Sequence, residues 1–159
     1  MTEVMLSATD IRILQALQKD ASFSNVQLAE RVGMSPSPCL RRVKQLEASG
    51  VIQRQVALLD RKKLGLGVLA TIQVRLQRHT EAGAEDFARA MNDLPEILSC
   101  WAMTGRQDFL LVAVAQDIES FGDFVTHQLL SMANVRDVQS SLVLKEYKNQ
   151  TTLPMPKAM

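Results

Sequence analysis

The feature that most constrains the fold of this chain is a short break between two amphipathic helical segments. Gly33 is typical of the left-handed residue that ends a helix, because a side chain disfavours that conformation. Ser35 and Pro36 are typical of the start of the next helix, where proline's missing N–H group is not needed. Since so short a turn makes two helices cross at a steep angle, it predicts a helix-turn-helix over residues 24–49.

The pattern of apolar residues predicts three helices in this region. Apolar residues three positions apart follow Asp10 and predict a first helix that ends near Asp20. Ser24 followed by Gln27 has the spacing of a capping box and predicts the start of the second. The third helix is expected to end before Gly50. The side chains predicted to face inward are Val26, Leu28, Ala29 and Val32 in the second helix and Pro36, Cys39, Leu40, Val43 and Leu46 in the third.

The opposite face of the third helix is basic and carries amide groups. It consists of Ser37, Pro38, Arg41, Lys44, Gln45 and Ala48, with Arg42 on its flank. Such a face is narrow enough for the major groove of DNA, where arginine recognises guanine through two hydrogen bonds. Lys44 is predicted to neutralise a phosphate. The predicted contacts to base edges or nearby phosphates are Ser37, Arg41, Arg42 and Gln45. The alternative is an ordinary solvated basic face.

The starts of the second and third helices extend this predicted interface. Ser24 and Asn25 begin the second helix, whose free N–H groups are suited to binding a phosphate. Capping of the helix explains the same two residues equally well. Ser35 and Pro38, at the start of the third helix, are also predicted to lie at the DNA.

The charges are distributed unevenly along the chain. The net charge of the whole chain is +1, but residues 1–65 carry a net +4 and residues 66–159 a net −3. This asymmetry suits a nucleic-acid-binding head followed by a neutral-to-acidic body. It is weak evidence alone, and it supports the assignment made from the helices.

The composition excludes several classes of protein. With 47% hydrophobic and 22% charged residues, the 159-residue chain is expected to fold around a core. No apolar run approaches the ~20 residues of a membrane-spanning helix, and the first residues lack the features of a secretory signal. Cys39 and Cys100 have no Cys or His companion, so we predict no metal site, no cofactor and a reducing cytoplasm.

The second half of the chain shows a different order of elements. A strand is predicted over 51–59, followed by strands over 68–77, 97–104, 108–115 and 135–147 and helices over 81–92 and 118–132. From residue 68 onward the order is βαββαβ, the ferredoxin-like arrangement, so the fold class is α+β. Two helices would cover one face of its sheet and leave the other free to pair with another subunit.

These patterns divide the chain into four parts. Residues 1–59 are predicted to form the DNA-binding domain, and residues 60–67 a polar hinge containing two glycines. Residues 68–148 are predicted to form the βαββαβ domain. Residues 149–159 are predicted to form a C-terminal tail.

The chain resembles the leucine-responsive regulatory protein/AsnC family of transcriptional regulators. The resemblance is carried by the segments 10–18, 28–29, 32–43, 46–47, 50–52, 104–108 and 151–154, so it covers nearly the whole chain in order. The stretch Ser35-Pro-Ser-Pro-Cys-Leu-Arg-Arg42 is highly specific for the family. Within the family, the chain looks most similar to the leucine- or methionine-responsive members.

The resemblance implies a winged helix-turn-helix followed by an amino-acid-sensing domain. It also implies dimers that assemble further, into octamers or open helical arrays. Members bind small ligands between dimers, near the hairpin that here comprises residues 104–108. This chain has Arg106 and Gln107 where many members have small or acidic residues, which leaves the identity of the ligand open.

The residues of this hairpin have two interpretations. In the first, Gly105 provides a tight turn and Asp108 caps it. In the second, which the resemblance favours, the N–H groups of Gly105 and Arg106 bind an amino acid's carboxylate while Asp108 pairs with its ammonium group. The full predicted ligand site is Met103, Thr104, Gly105, Arg106 and Asp108, with Ser140 and Ser141 from a neighbouring subunit.

We therefore predict a sequence-specific DNA-binding transcriptional regulator that responds to an amino acid, with leucine and methionine as the leading effectors. Its predicted partners are double-stranded DNA, the effector and further copies of itself, at the nucleoid of the cytoplasm. The first alternative is a nucleoid-organising protein of low sequence specificity. A regulatory subunit of a metabolic enzyme is less consistent with the sequence, which lacks a phosphate-binding loop or a catalytic cluster.

Overall fold

The structure is a computed structural model that describes residues 5–78 and 80–156. These residues form two compact units. The head unit takes the described residues up to Leu58 together with those from Lys148 onward, and the sheet unit takes Leu59–Tyr147. The chain therefore passes from the head unit to the sheet unit and back again. None of the helices within the described residues is long and apolar enough to cross a membrane.

The head unit contains the three predicted helices. They are α1 (Ala8–Lys19), α2 (Asn25–Val32) and α3 (Pro36–Ala48). The capping box at Ser24 is present, since its hydroxyl accepts a hydrogen bond from the N–H of Gln27 while the Gln27 side chain accepts one from the N–H of Ser24. Gly33 adopts φ +69°, as expected for the residue that ends a helix before a tight turn. The helix-turn-helix is thus confirmed.

One inward stripe from each helix forms the core of the head unit. Its buried residues are Ile13, Leu14, Ala16, Leu28, Ala29, Val32, Cys39 and Leu46. Three residues predicted to face this core are instead exposed: Val26 at 53%, Leu40 at 43%, and Pro36 in the first turn of α3. Val26 lies about 200° around α2 from Leu28. On α3 the packed stripe runs through Cys39 and Leu46, which leaves Leu40 at its outer edge.

The C-terminal tail packs on the head unit. The Gln18 side chain of α1 accepts a hydrogen bond from the N–H of Leu153 at 2.6 Å and donates one to the Leu153 carbonyl at 3.3 Å. The side chain of Met155 packs against the core of the head unit. The tail therefore belongs to the head unit, although the whole sheet unit separates it in the chain from the other residues of that unit.

The sheet unit is the predicted ferredoxin-like domain. Its elements are β1 (Val68–Leu76), α4 (Glu81–Asn92), β2 (Ile97–Ala102), β3 (Phe109–Ala115), α5 (Ile118–Asp123), a π-helical segment (Phe124–Leu129) and β4 (Val135–Leu142). The strands form one antiparallel sheet in the order β2-β3-β1-β4. The α+β fold class and the βαββαβ order are confirmed.

Alternation along the central strands separates the two faces of the sheet. Ile72 of β1 pairs with Leu111 of β3, and both are fully buried in the core with Phe87 and Met91 of α4. The residues that alternate with Ile72 along β1 and with Leu111 along β3 point to the opposite face of the sheet. None of the described helices of this unit packs on that face. Trp101 of β2 is 49% exposed and pairs with Leu110 on that open face.

Three predicted elements differ from the structure. No strand forms over 51–59, where no backbone hydrogen bond joins residues 53–59 to the rest of the described chain. Strand β4 ends at Leu142 instead of residue 147, because its partner β1 begins at Val68 and offers almost no further backbone to pair with. The helix predicted over 118–132 becomes π-helical at Phe124 and ends at Leu129.

The π-helical segment changes which side chains face the core. Phe124 and Leu129 are five residues apart, and the wider turn buries both of them. Phe121 is buried, whereas Ile118, which a uniform helical period places on the same side three positions earlier, is 67% exposed. A uniform α-helical period does not predict where a helix changes from α-helical to π-helical.

Candidate DNA interface and effector hairpin

The outward face of α3 is a continuous, shallow surface. It is lined by Ser37, Leu40, Arg41, Lys44, Gln45 and Ala48. Of these, Leu40 is the residue that the sequence pattern had assigned to the core, and the other five belong to the predicted exposed face. None of the lining residues is acidic. The surface therefore presents two positive charges, an amide, a hydroxyl and one large apolar side chain on a single face of a helix.

The start of α3 is held by α2. The Nδ2 atom of Asn25 donates a hydrogen bond of 2.8 Å to the carbonyl of Pro36. Ser35 is the residue that precedes α3, but its side chain makes no capping hydrogen bond. Ser35 and Ser37 are exposed, and Pro38 is half-buried. The Asn25 side chain thus positions the first turn of α3, whereas the hydroxyl of Ser24 caps α2.

Arg42 is anchored by α1. Its guanidinium contacts the Asp10 carboxylate through Nε at 2.5 Å and through a terminal nitrogen at 2.7 Å. The same group donates to Oε1 of Gln45 at 3.1 Å. Asp10 is only 1% exposed, and its carboxylate also accepts hydrogen bonds from the N–H and hydroxyl of Ser7. This cluster ties the flank of α3 to the start of α1.

The charges in this cluster stabilise each other. Hydrogen bonds from Arg42 are the largest cause that lowers the pKa of Asp10 from 3.8 to about 2, against the opposing effect of burial. The same pairing raises the pKa of Arg42. Asp10 therefore remains ionised throughout the physiological range, and Arg42 is held in one orientation beside the outward face of α3.

The two cysteines are placed as ordinary packing residues. Cys39 is fully buried and Cys100 is half-buried, and burial raises the pKa of both thiols. A raised pKa disfavours the thiolate, which is the form that binds metals and attacks electrophiles. Within residues 5–78 and 80–156, no group of three or more His, Cys, Asp or Glu side chains is placed to hold a metal ion.

The hairpin between β2 and β3 is a tight, exposed turn. Its N–H at Met103 donates a hydrogen bond of 2.8 Å to the carbonyl of Asp108. Gly105 adopts φ +110°, a conformation that side chains disfavour. Thr104, Gly105 and Arg106 are exposed, and Met103 is 47% exposed. The turn therefore offers its backbone and the Arg106 side chain to solvent.

Asp108 links this hairpin to β1. Its Oδ2 atom accepts a hydrogen bond of 2.8 Å from the N–H of Leu76, and its own N–H donates one of 3.0 Å to the carbonyl of Val74. The carboxylate thus has a structural role at the end of β1 in addition to the ligand contact predicted for it.

Ser140 and Ser141 lie apart from the hairpin within one chain. Both are in β4, and β1 separates β4 from β3 in the sheet. Ser140 pairs with Ile72, on the helix-covered face, while Ser141 pairs with Thr71 on the open face. The structure therefore does not bring the serines and the hairpin together in a single chain, and adjacent serines present their side chains to opposite faces.

Comparison with known proteins identifies both units. A model described as "Winged helix-turn-helix DNA-binding" matches residues 6–53, and one described as "Lrp/AsnC ligand binding domain" matches residues 69–153. The second match covers more than half of the chain. The chain belongs to the Lrp/AsnC family. The matched regions correspond to the helix-turn-helix of the head unit and to the antiparallel sheet that carries the hairpin.

Relatives in the Lrp/AsnC family are similar along almost the whole chain. The leucine-responsive regulatory protein of Rhizobium meliloti is 41% identical over 146 residues, covering 92% of this chain and 94% of the relative. That of Escherichia coli is 36% identical over 148 residues, covering 93% and 90%. A third relative, from Bacillus subtilis, is 35% identical over 96% of this chain and 97% of its own length and is named as a transcriptional regulator, which confirms the predicted family and class of function.

A solved structure shares both the sequence and the fold. A transcriptional regulator from Neisseria meningitidis, determined as a complex with L-methionine, is 49% identical to this chain. Its TM-score is 0.90, with 94% of this chain and 97% of that one covered. Sequence reasoning missed two features of this fold. One is the exposure of Leu40 on α3, and the other is the burial of Asp10 beside Arg42.

Proposed function

We propose that the protein recognises a specific operator through the exposed face of α3 and that an amino acid controls its assembly or DNA binding. The observation that carries the first part is the grouping of Arg41, Lys44 and Gln45 with Ser37 on one face that no acidic side chain interrupts. Arginine and glutamine discriminate bases in the major groove through paired hydrogen bonds, and lysine neutralises phosphate.

The proposed roles of the remaining DNA-site residues follow from their contacts. Asn25 and Arg42 act as positioning residues, since their side chains bind Pro36 and Asp10 within the head unit. The N–H groups at the start of α2, beside Ser24, are proposed to bind a phosphate. Ser35 and Pro38 flank that contact at the first turn of α3.

The proposed effector site is the hairpin between β2 and β3. The exposed backbone of Gly105 and the side chain of Arg106 are suited to an amino acid's carboxylate. Asp108 orders the turn through Leu76 and adds negative charge on the side of the ammonium group. The methionine complex of the Neisseria relative supports methionine as effector, and the leucine-responsive relatives support leucine.

A second subunit is proposed to complete this effector site. The serines of β4 lie two strands away from the hairpin of their own chain, so Ser140 or Ser141 would reach a ligand only from a neighbouring copy. The open face of the sheet, with Trp101 partly exposed, is the proposed dimer surface. Further assembly of dimers, to an octamer, would place hairpins and β4 strands of different copies together.

The proposed DNA contacts of α3 and the proposed effector contacts of the hairpin together describe a regulator that acts on chromosomal DNA. We place it at the nucleoid in the cytoplasm, where both operator and amino-acid pool are found. The effector would act by binding one assembly more tightly than another, which shifts the population toward that assembly. The proposal requires no catalytic step, and the named relatives are transcriptional regulators.

A salt series with operator and random duplexes tests the DNA-binding proposal. We expect the operator, enriched from a random pool, to bind about 10³-fold more tightly than random DNA, with a steep loss as salt increases. Arg41→Ala should weaken operator binding by about tenfold or more. Arg89→Ala, which removes an exposed arginine from α4, is the matched control. Equal affinity for operator and random DNA would contradict operator recognition and support a nucleoid-organising role.

Calorimetry with L-methionine and L-leucine tests the effector proposal. We expect Arg106→Ala to weaken binding of both amino acids while DNA affinity without effector is unchanged. Asp108→Asn retains an oxygen that can accept the hydrogen bond from Leu76 but removes the charge, whereas Asp108→Ala removes both. Unchanged amino-acid affinity in Arg106→Ala and Asp108→Asn would show that the hairpin is not the site.

A further inference from the structure

Leu40 is an apolar side chain placed among groups suited to DNA. It is 43% exposed, and it is the large apolar residue among those that line the outward face of α3. Ser37 precedes it by three positions and Lys44 follows it by four, so all three lie along one side of the helix. Arg41 adjoins it on the same surface. Leu40 therefore lies on the surface proposed to face DNA, at its edge nearest the core of the head unit.

The packing of the head unit does not account for Leu40. Cys39 and Leu46 fill the core side of α3, and Val43 packs against that core as a partly buried residue. Leu40 is not among the described apolar residues that pack there. The exposed part of Leu40 is apolar surface in contact with water, and covering it with an apolar group of a partner would be favourable.

The chemistry of the surrounding surface indicates the partner. The surface that includes Leu40 is lined by two cationic side chains and by no acidic one, which matches a polyanion. A protein partner would need a cluster of apolar anchors, whereas this surface has one leucine and the small Ala48. In the major groove, the C5-methyl group of thymine is the apolar feature that side chains contact.

We propose that Leu40 packs on the C5-methyl group of a thymine and so makes thymine a required base of each operator half-site. This inference rests on the proposed operator recognition by α3 and adds a specificity-determining residue to it. Since Arg41 adjoins Leu40, the thymine lies within one or two base pairs of the base that Arg41 contacts. The polar residues around Leu40 supply affinity and hydrogen-bond readout, and Leu40 distinguishes thymine from cytosine.

Deoxyuridine is the probe for this contact, because it lacks only the methyl group of thymine. The operator is first enriched from a random duplex pool with the unaltered protein. Each thymine of the enriched duplex is then replaced singly by deoxyuridine, and the dissociation constant is measured for each duplex. We expect one position per half-site to weaken binding about fourfold, the effect of one buried methyl group.

The same series with Leu40 variants assigns the effect to this side chain. Leu40→Ala should bind the thymine and deoxyuridine duplexes equally, and Leu40→Met should retain most of the discrimination. Leu130→Ala removes a similarly exposed leucine from the sheet unit and should behave like the unaltered protein. Because Leu40 contributes little to the core, circular dichroism and melting should show an intact fold for each variant.

The outcomes separate this inference from the function on which it rests. If no sequence is enriched from the pool, operator recognition itself is overturned. If an operator is enriched but no thymine position responds to deoxyuridine, or Leu40→Ala retains the full response, only the role of Leu40 is overturned. Loss of the response in Leu40→Ala alone supports the contact.

Discussion

Asp10 and Arg42 show how a single buried carboxylate restricts a residue at the edge of the surface proposed to face DNA. The two are 32 positions apart, and their pairing joins the first turn of α1 to the middle of α3. Arg42 keeps its charge next to Gln45, but its orientation is set by Asp10 and not by DNA. The cluster therefore contributes to stability and to the geometry of the interface at once.

Replacing Asp10 with asparagine should reduce stability in a pH-dependent way. The pKa of Asp10 is lowered from 3.8 to about 2 in the folded protein, so the ionised form stabilises the fold above pH 4 and this contribution is lost as pH falls toward 2. The shift corresponds to a contribution of about 2 kcal/mol at neutral pH. Urea denaturation at several pH values should show Asp10→Asn less stable at pH 7, with the difference from the unaltered protein vanishing near pH 2.

A matched variant separates this effect from general acid sensitivity. Glu30→Gln removes an exposed carboxylate from α2 of the same unit. Its stability should remain parallel to that of the unaltered protein across the pH range. A difference for Asp10→Asn that persists unchanged from pH 7 to pH 2 would show that the charge on Asp10 is not the cause.

At the level of residues, sequence reasoning succeeded where the cause is local and failed where it is not. Arg41, Lys44 and Gln45 were predicted on the exposed face of a helix, and they lie there. The pairing of Arg42 with Asp10 depends on how α1 and α3 pack. No spacing along one helix encodes such a contact.

The turn between α2 and α3 is the element that sets the angle of the recognition helix. Gly33 has φ +69°, and a Cβ atom built there would meet no other group within 4 Å. The requirement for glycine is therefore conformational and not steric. Any L-residue at this position must adopt the left-handed conformation, which costs about 1–2 kcal/mol.

Gly33→Ala should lower the free energy of unfolding by about 1 kcal/mol, and Gly33→Asn by less, because asparagine tolerates the left-handed region. Gly122→Ala provides the opposite case. Gly122 lies within α5 in open space and without a positive φ, so alanine should stabilise that helix by up to about 1 kcal/mol. Thermal denaturation of the three variants measures these differences. Equal effects of Gly33→Ala and Gly122→Ala would contradict the conformational explanation.

The order of the βαββαβ elements was predictable because apolar residues recur at strand spacing in β1 and β3 and at helical spacing in α4. Two of the three predicted elements that differ from the structure concern backbone without a partner. Residues 51–59 have the composition of a strand, but no strand of the described chain lies beside them to accept and donate hydrogen bonds. Residues 143–147 were also predicted to be strand, and Leu144 among them is 97% exposed beyond the end of β4. Propensity identifies a candidate strand, and pairing decides whether it forms.

On the scale of the whole molecule, the order of the chain and the division into units do not coincide. The head unit is built from the described residues up to Leu58 and from Lys148 onward, with the sheet unit between them. Two connections therefore join the units, where the sequence predicted one hinge and a separate tail. The hydrogen-bonding pair Gln18 and Leu153 identifies where the second segment returns.

Removing the residues after Asn149 should destabilise the head unit and leave the sheet unit unaffected. The loss of Met155 packing and of both Gln18–Leu153 hydrogen bonds should cost about 2 kcal/mol. Hydrogen exchange of backbone amides in α1 and in β1 measures the two units separately. Faster exchange should be confined to the helices of the head unit.

Point variants locate the effect within the tail contact. Gln18→Ala removes the two hydrogen bonds and should reproduce part of the destabilisation. Gln15→Ala removes an exposed glutamine from the same helix and should have little effect. If truncation left exchange in α1 unchanged, the tail would not contribute to the head unit.

The return of the tail determines the order in which the protein can be completed during synthesis. The helices of the head unit leave the ribosome first, and domains generally fold as they emerge. Met155 follows the whole sheet unit in the chain, so the core of the head unit lacks this side chain until the sheet unit has been translated. The head unit therefore starts before the sheet unit and is completed after it, and a nascent chain would hold an incomplete DNA-binding unit until the sheet unit has been made.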